Sequence, residues 1–174
     1  PFTDHGKMFR SNEIGVQNSI DPSFLQYEGR NYLVWGSFRG IYVIELTEDG
    51  LSLKPGAKKK RIAGTAFEAA YIHKHGDYYY MFASIGSCCE GIRSTYKVVV
   101  GRSKKVWGPY KDKPGKPMLK NGYSLVIGAN NHFVGNGHGS QIIPDEAGQD
   151  WLLYHGFSRS APENGRILLL DQIK

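Results

Sequence analysis

Along the chain, apolar and aromatic residues come in short alternating runs broken by polar, glycine-containing turns. The pattern of strand, turn and aromatic strand occurs three times. The first copy runs from Phe24 to Gln26, turns at Tyr27-Glu28-Gly29-Arg30 and continues through Asn31 to Ser37. The second takes Ala70 to His73, a turn around Lys74-His75-Gly76, then Asp77 to Ser84. The third takes Ser140 to Ile143, a turn through Pro144 to Gly148, then Trp151 to Gly156. Each copy has the signature of a β-hairpin. Further strands are expected at Gly40–Leu46, Tyr96–Ser103 and Ile167–Ile173. No stretch carries the 3.6-residue periodicity of a long amphipathic helix.

A polar residue leads each copy: Asp21, Glu68 and His138. Repeated sheets whose first strand faces inward are the logic of a β-propeller, so the expected fold is all-β, with these three side chains converging on one axis. An ordinary β-sandwich with coincidental repeats is the alternative. A closed propeller needs about four blades or more, and three would leave open sheet edges. The pattern therefore predicts further chain or association between copies.

Composition changes this picture little. The 174 residues include 22 Lys and Arg against 16 Asp and Glu, a net charge of +6. With 40% hydrophobic and 13% aromatic residues, a disordered chain is excluded. The longest apolar runs, Tyr78–Ala83 and Ile167–Leu170, fall far below the ~18 residues of a membrane span. The one dense basic run, Lys58–Arg61, follows Pro55-Gly56 and reads as a solvated loop, with no nucleic-acid motif beside it. Cys88 and Cys89 are adjacent and lack zinc-site spacing. They read as two packed thiols, with a vicinal disulfide as the alternative. The segment Pro1-Phe2-Thr3-Asp4 has neither the basic start nor the apolar stretch of a signal peptide.

Two carboxylates on facing elements are the minimum equipment for glycoside hydrolysis. Glu68 lies in the uncharged, mostly apolar stretch Thr65–Tyr71, which suits a general acid. Asp21 precedes Pro22, which biases it towards extended backbone; a turn initiator is the plainer reading. His138 sits between Gly137 and Gly139, which leave room for close approach of a ligand or ion.

At these residues the chain resembles glycoside hydrolase family 43, specifically its arabinan-degrading members. The matching segments are Asn18–Pro22, Trp35–Phe38 with Gly40-Ile41, and Phe67–Ala69. The most specific block is Ser84–Tyr96, followed by Val100–Ser103, Gly108–Tyr110 and Gly135–Ser140. The resemblance implies a five-bladed β-propeller and inverting hydrolysis of α-1,5-linked arabinofuranosyl chains. It implies Glu68 as general acid and Asp21 as the Asp that orients and tunes it. It implies His138 beside a metal ion, expected to be calcium, and Asn18, Ser37 and Phe38 at the sugar-binding end. It also implies secretion or a periplasmic location.

The family's catalytic base is an Asp on the first blade and has no counterpart here; Asp4 matches a later segment. Arg166–Lys174 reads as a strand with a missing continuation. Residues 1–174 are therefore expected to be the middle three blades of a single propeller catalytic domain, with the base outside the chain. The expected partners are arabinan or arabino-oligosaccharide, and other copies or the remainder of the same protein; nucleic acid and membrane are not expected. A fragment that binds arabinan without cutting it, and a β-xylosidase-like enzyme of the same fold, are the competing readings. The Cys-Cys block and Ser94-Thr95-Tyr96 favour arabinan over xylan.

Overall fold

The computed structural model describes residues 2–173. Pro1 and Lys174, which belong to the N-terminal segment and final strand read above, lie outside the described residues. No described helix is long and apolar enough to cross a membrane. The one α-helix among the described residues is a single turn, Ser11–Ile14.

The first hairpin forms as expected. β1 (Ser23–Tyr27) pairs antiparallel with β2 (Arg30–Trp35), then β3 (Ile41–Glu45) and β4 (Lys60–Ala63) complete a four-stranded meander. The basic run is thus a correction: Lys60 and Arg61 open a strand rather than lie in a loop. Their side chains stay exposed because β4 is an edge strand, and charge on an edge blocks further pairing.

The second sheet holds β5 (Glu68–His75), β6 (Tyr78–Ile85), β7 (Lys97–Ser103) and β8 (Ser124–Ile127). The third is built on β9 (Phe133–Gly137), β10 (Ile142–Pro144), β11 (Asp150–Ser158) and β12 (Arg166–Ile173). Among the described residues, one parallel pair, Lys97 with Asn136, joins the second and third sheets. The third repeat departs from the expected Ser140–Ile143 strand. Its inner strand is split, with β9 and β10 both pairing with β11 on either side of His138. Glycines at 135, 137 and 139 weakened the strand signal there.

All three inner strands are interrupted in the same way. The register slips after Ile20, between Glu68 and Tyr71, and after Gly137. At each slip one residue adopts a left-handed conformation: Asp21 at φ 56°, Ala69 at φ 52° and His138 at φ 51°. These are bulges, which re-aim side chains and bend the strand. For Ala69, which has no side-chain oxygen to bond locally, that conformation costs roughly 1–2 kcal/mol.

Packing between sheets holds the blades together. Val34, Ile41, Phe67, Ile72, Met81 and Val99 fill the space between the first and second sheets. Phe82, Val98, Ile142, Leu152 and Tyr154 do the same between the second and third. Alternation along β6 sends Tyr79 to the first of these layers and Tyr80 to the second. Cys88 and Cys89 form a vicinal disulfide, which corrects the reading of two packed thiols. Cys89 is exposed, so no apolar packing encloses the pair, and Arg166 reaches the Cys89 sulfur at 3.0 Å.

Candidate active site

The three bulges meet. A cavity of about 370 Å³ is lined by residues of all three bulged segments, among them Asp21 and Ser23, Ala69 and Tyr71, and His138 and Ser140. Of the leading residues, Asp21 and His138 therefore converge on this cavity as the repeat pattern predicts, and Glu68 is buried one residue before Ala69.

Glu68 starts β5 and is 8% exposed. Burying a carboxylate is costly unless its oxygens are satisfied. Here Ser37 Oγ donates to Oε2 at 2.8 Å, and the Tyr96 hydroxyl donates to Oε1. Ser37 comes from the first sheet and Tyr96 from the segment entering β7, so the carboxyl is gripped from two directions. Burial pushes the Tyr96 hydroxyl pKa up, and its bond to Glu68 adds to the shift, so it stays a donor.

Asp21 lies one strand away. Its Oδ2 accepts the Ala69 N–H at 3.2 Å, and its Oδ1 is 4.0 Å from His138 Nε2. Its pKa is raised. Burial is the largest cause, and the Glu68 charge adds to it; His138 and the Ala69 N–H pull the other way. This places the Asp21 carboxyl within electrostatic reach of Glu68.

His138 is 44% exposed at its side chain. Its N–H donates to Ser84 Oγ at 2.8 Å. Its ring stacks on His155, with centroids 6.3 Å apart, and His155 stacks in turn on Tyr96 at 5.9 Å. His155 has its pKa lowered, first by burial and then by Arg166 and His138; its Nδ1 is buried without a partner. Gly137 lets this stack exist, because a Cβ there would lie 2.1 Å from the Tyr96 ring.

Asn18 Nδ2 donates to the Ser37 carbonyl at 3.0 Å, and the Phe38 N–H donates to the Phe67 carbonyl at 2.9 Å. Both Asn18 and Phe38 have positive φ, and these two bonds tie down the segment whose Ser37 hydroxyl reaches Glu68. Ser37 is 1% exposed with its hydroxyl on Glu68, so it acts through the carboxyl rather than presenting a free surface. Calcium takes about six to eight oxygen ligands. Among the described residues, the carboxylate paired with His138 Nε2 is that of Asp21, so these two residues do not by themselves make a calcium cage.

Tyr96, Ser84 and His155 are site residues that sequence reasoning did not assign. Tyr96 lies in the most specific matching block, but a tyrosine among many carries no mark of its partner. His155 sits in an aromatic strand that reads as core.

The chain can be set beside known proteins on this geometry. The family profile described as "Glycosyl hydrolases family 43" matches residues 1–174. An extracellular exo-α-(1→5)-L-arabinofuranosidase of Cellvibrio japonicus is 41% identical over 157 residues, covering 80% of this chain and 44% of its own length. An extracellular endo-α-(1→5)-L-arabinanase of Bacillus subtilis is 37% identical over 179 residues, covering 98% of this chain and 53% of its own. Among solved structures, an exo-1,5-α-L-arabinanase from a bovine ruminal metagenomic library superposes with a TM-score of 0.88 at 35% identity, over 99% of this chain and 59% of that one. The Cellvibrio cellulosa α-L-arabinanase complexed with arabinohexaose gives 0.81 at 33% identity, over 88% and 53%. This chain spans about half the length of the curated relatives it matches. Its three sheets are part of the all-β propeller that these arabinanases share. Profile, relatives and superposition agree, and the chain belongs to glycosyl hydrolase family 43.

Proposed function

We propose that the whole protein to which this chain belongs hydrolyses α-1,5-linked L-arabinofuranosyl chains with inversion, and that Glu68 is the general acid. The observation that carries this reading is the placement of Glu68: a nearly buried carboxyl, held by two hydroxyls, at the head of an inner strand beside Asp21. A general acid must present its proton in a fixed direction to the leaving oxygen. Ser37 and Tyr96 limit rotation of the carboxyl and so set that direction. Asp21 acts as a positioning residue, because its carboxylate holds the Ala69 N–H, the backbone group next to Glu68.

Inversion also requires a base carboxylate about 6.5–9.5 Å from the acid, to activate water on the far side of the sugar ring. That base is assigned to a part of the protein outside these residues. Asn18 and Phe38 are assigned to the sugar-binding end. His138 faces the channel, where it binds a sugar hydroxyl or a hydrated cation. Secretion is proposed because the two relatives above are extracellular by name.

The test uses the whole protein on arabinan and on linear arabino-oligosaccharides, wild type against Glu68→Gln. Proton NMR of the first product reports its anomeric configuration. Sugar release with inverted configuration that Glu68→Gln abolishes, while arabino-oligosaccharide binding persists, supports the reading. Binding without release by the wild type would leave only a carbohydrate-binding role. Preference for xylo-oligosaccharides would overturn the substrate.

A further inference from the structure

Far from Glu68, the other end of β5 carries a second cluster of chemistry. His73 and His75 are two residues apart on one strand, so both side chains leave the same face. That face looks onto the third sheet, where Asp150 opens β11. His73 Nε2 lies 3.1 Å and His75 Nδ1 lies 2.9 Å from the same atom, Asp150 Oδ2. The three ligand atoms all fall within 4.8 Å of one another. Glu68 and His75 stand at opposite ends of the strand, roughly 20 Å apart at the rise of an extended chain.

We propose that His73, His75 and Asp150 form a binding site for a zinc-class divalent transition metal that clamps the second sheet to the third. Two imidazoles and a carboxylate are a ligand set for zinc and its neighbours, not for calcium or magnesium, which prefer all-oxygen shells. With metal–ligand bonds of about 2.0 Å, neighbouring ligand atoms of a tetrahedral site are about 3.3 Å apart. The two observed separations are a few tenths of an ångström shorter, so small side-chain rotations admit an ion. Both ring nitrogens already lie within hydrogen-bond distance of one carboxylate oxygen.

The surroundings also fit. A cavity of about 260 Å³ opens beside the cluster, lined by Gln149 and Gln172 as well as the three ligands. It leaves a fourth position for water. His73 and Asp150 are only 17% and 15% exposed at their side chains, which shields those two ligands. His75 is 66% exposed and gives an entry path. The site lies on the apolar layer of Phe82 and Ile142 between the sheets, so a bound ion would brace that interface.

The test is direct binding of the metal to the whole, tag-free protein after chelator treatment. Zinc chloride is titrated by calorimetry, and cobalt(II) chloride is followed by its visible d–d absorption, which is intense for tetrahedral sites. One equivalent of zinc per chain, a tetrahedral cobalt spectrum and a zinc-dependent rise in Tm are expected. His75→Ala and Asp150→Asn should each weaken zinc binding by at least about tenfold. His75→Ala should leave the metal-free Tm unchanged, because that ring is mostly in solvent. Binding that survives both substitutions unchanged, or no saturable zinc binding at about 100 times a micromolar Kd, would overturn the proposal and leave two histidines sharing a carboxylate. Calcium and magnesium serve as controls that should not compete. The inference does not rest on the glycosidase reading, because its readouts are binding and spectra.

Discussion

Asp21 and Ala69 are joined across two sheets by a hydrogen bond from the Ala69 N–H to Asp21 Oδ2 at 3.2 Å. A bulge leaves a backbone donor without its ladder partner, and a buried donor must find another acceptor. Ala69 takes its acceptor from the preceding sheet. The His138 bulge repeats the device, with its N–H on Ser84 Oγ of the second sheet. The second and third bulges are thus each tied to the sheet before them. The contacts that fix the channel are the same contacts that lock neighbouring blades together.

Glu68→Gln preserves volume and removes the transferable proton. The expected outcome is a properly folded whole protein with arabinan hydrolysis reduced by about 10²–10⁴-fold. Reducing-sugar release at saturating substrate, with circular dichroism as the folding control, checks it.

Tyr96→Phe deletes one of the two donors on a nearly buried carboxyl. Leaving that acceptor unsatisfied should cost about 1–3 kcal/mol of stability. Gly137→Ala should act on the same contact from behind, because the added Cβ displaces the Tyr96 ring. Chemical denaturation of each variant and of the pair is the check. If they act through one contact, the double variant should lose clearly less than the sum of the singles.

Asp21→Asn should stabilise the fold at neutral pH while lowering activity. The folded Asp21 has a raised pKa, so its ionised form is less favourable in the native state than in the unfolded chain. Removing that charge should raise Tm at pH 7 by a few degrees, at about 2–4 °C per kcal/mol for a domain of this size. The gain should fade as pH falls through the raised native value towards 3.8, where the wild-type carboxyl becomes protonated in both states. Tm measured from pH 7 to 3.5 tests the sign.

His155 should make the protein sensitive to mild acid. Its native pKa is lowered from 6.5, so the unfolded chain binds a proton that the native state refuses. Stability should be complete above about pH 6.5 and fall as pH drops below it towards the lowered native value. His155→Phe keeps the stack with Tyr96 and His138 and should flatten that part of the profile. Equal slopes for wild type and variant between about pH 6.5 and 5 would remove His155 as the cause.

The hairpins were legible in the sequence because they are local. Tyr27-Glu28-Gly29-Arg30 names its turn, Gly76 marks the second, which lies at Gly76-Asp77 because β5 runs on through Lys74 and His75, and alternation on either side sets strands and register. The leaders Asp21, Glu68 and His138 were legible for the same reason, since each precedes a recognisable hairpin, although His138 lies between β9 and β10 rather than at a strand head. β4 and β9 were harder. Lys60 and Arg61 hid one behind charge, and Gly135 and Gly137 hid the other behind glycine.

The sequence by itself determined an all-β chain of repeated hairpins, its family, and which carboxylates stand at strand heads. Only the tertiary structure decided what those carboxylates touch. Ser37 on Glu68, Ala69 on Asp21, Tyr96 on His155 and His73 on Asp150 are contacts between residues remote in sequence. They form when the apolar layers between sheets bring separate blades into register. That packing is a property of complementary surfaces, and no local pattern of turns and alternation encodes which side chains will meet across it.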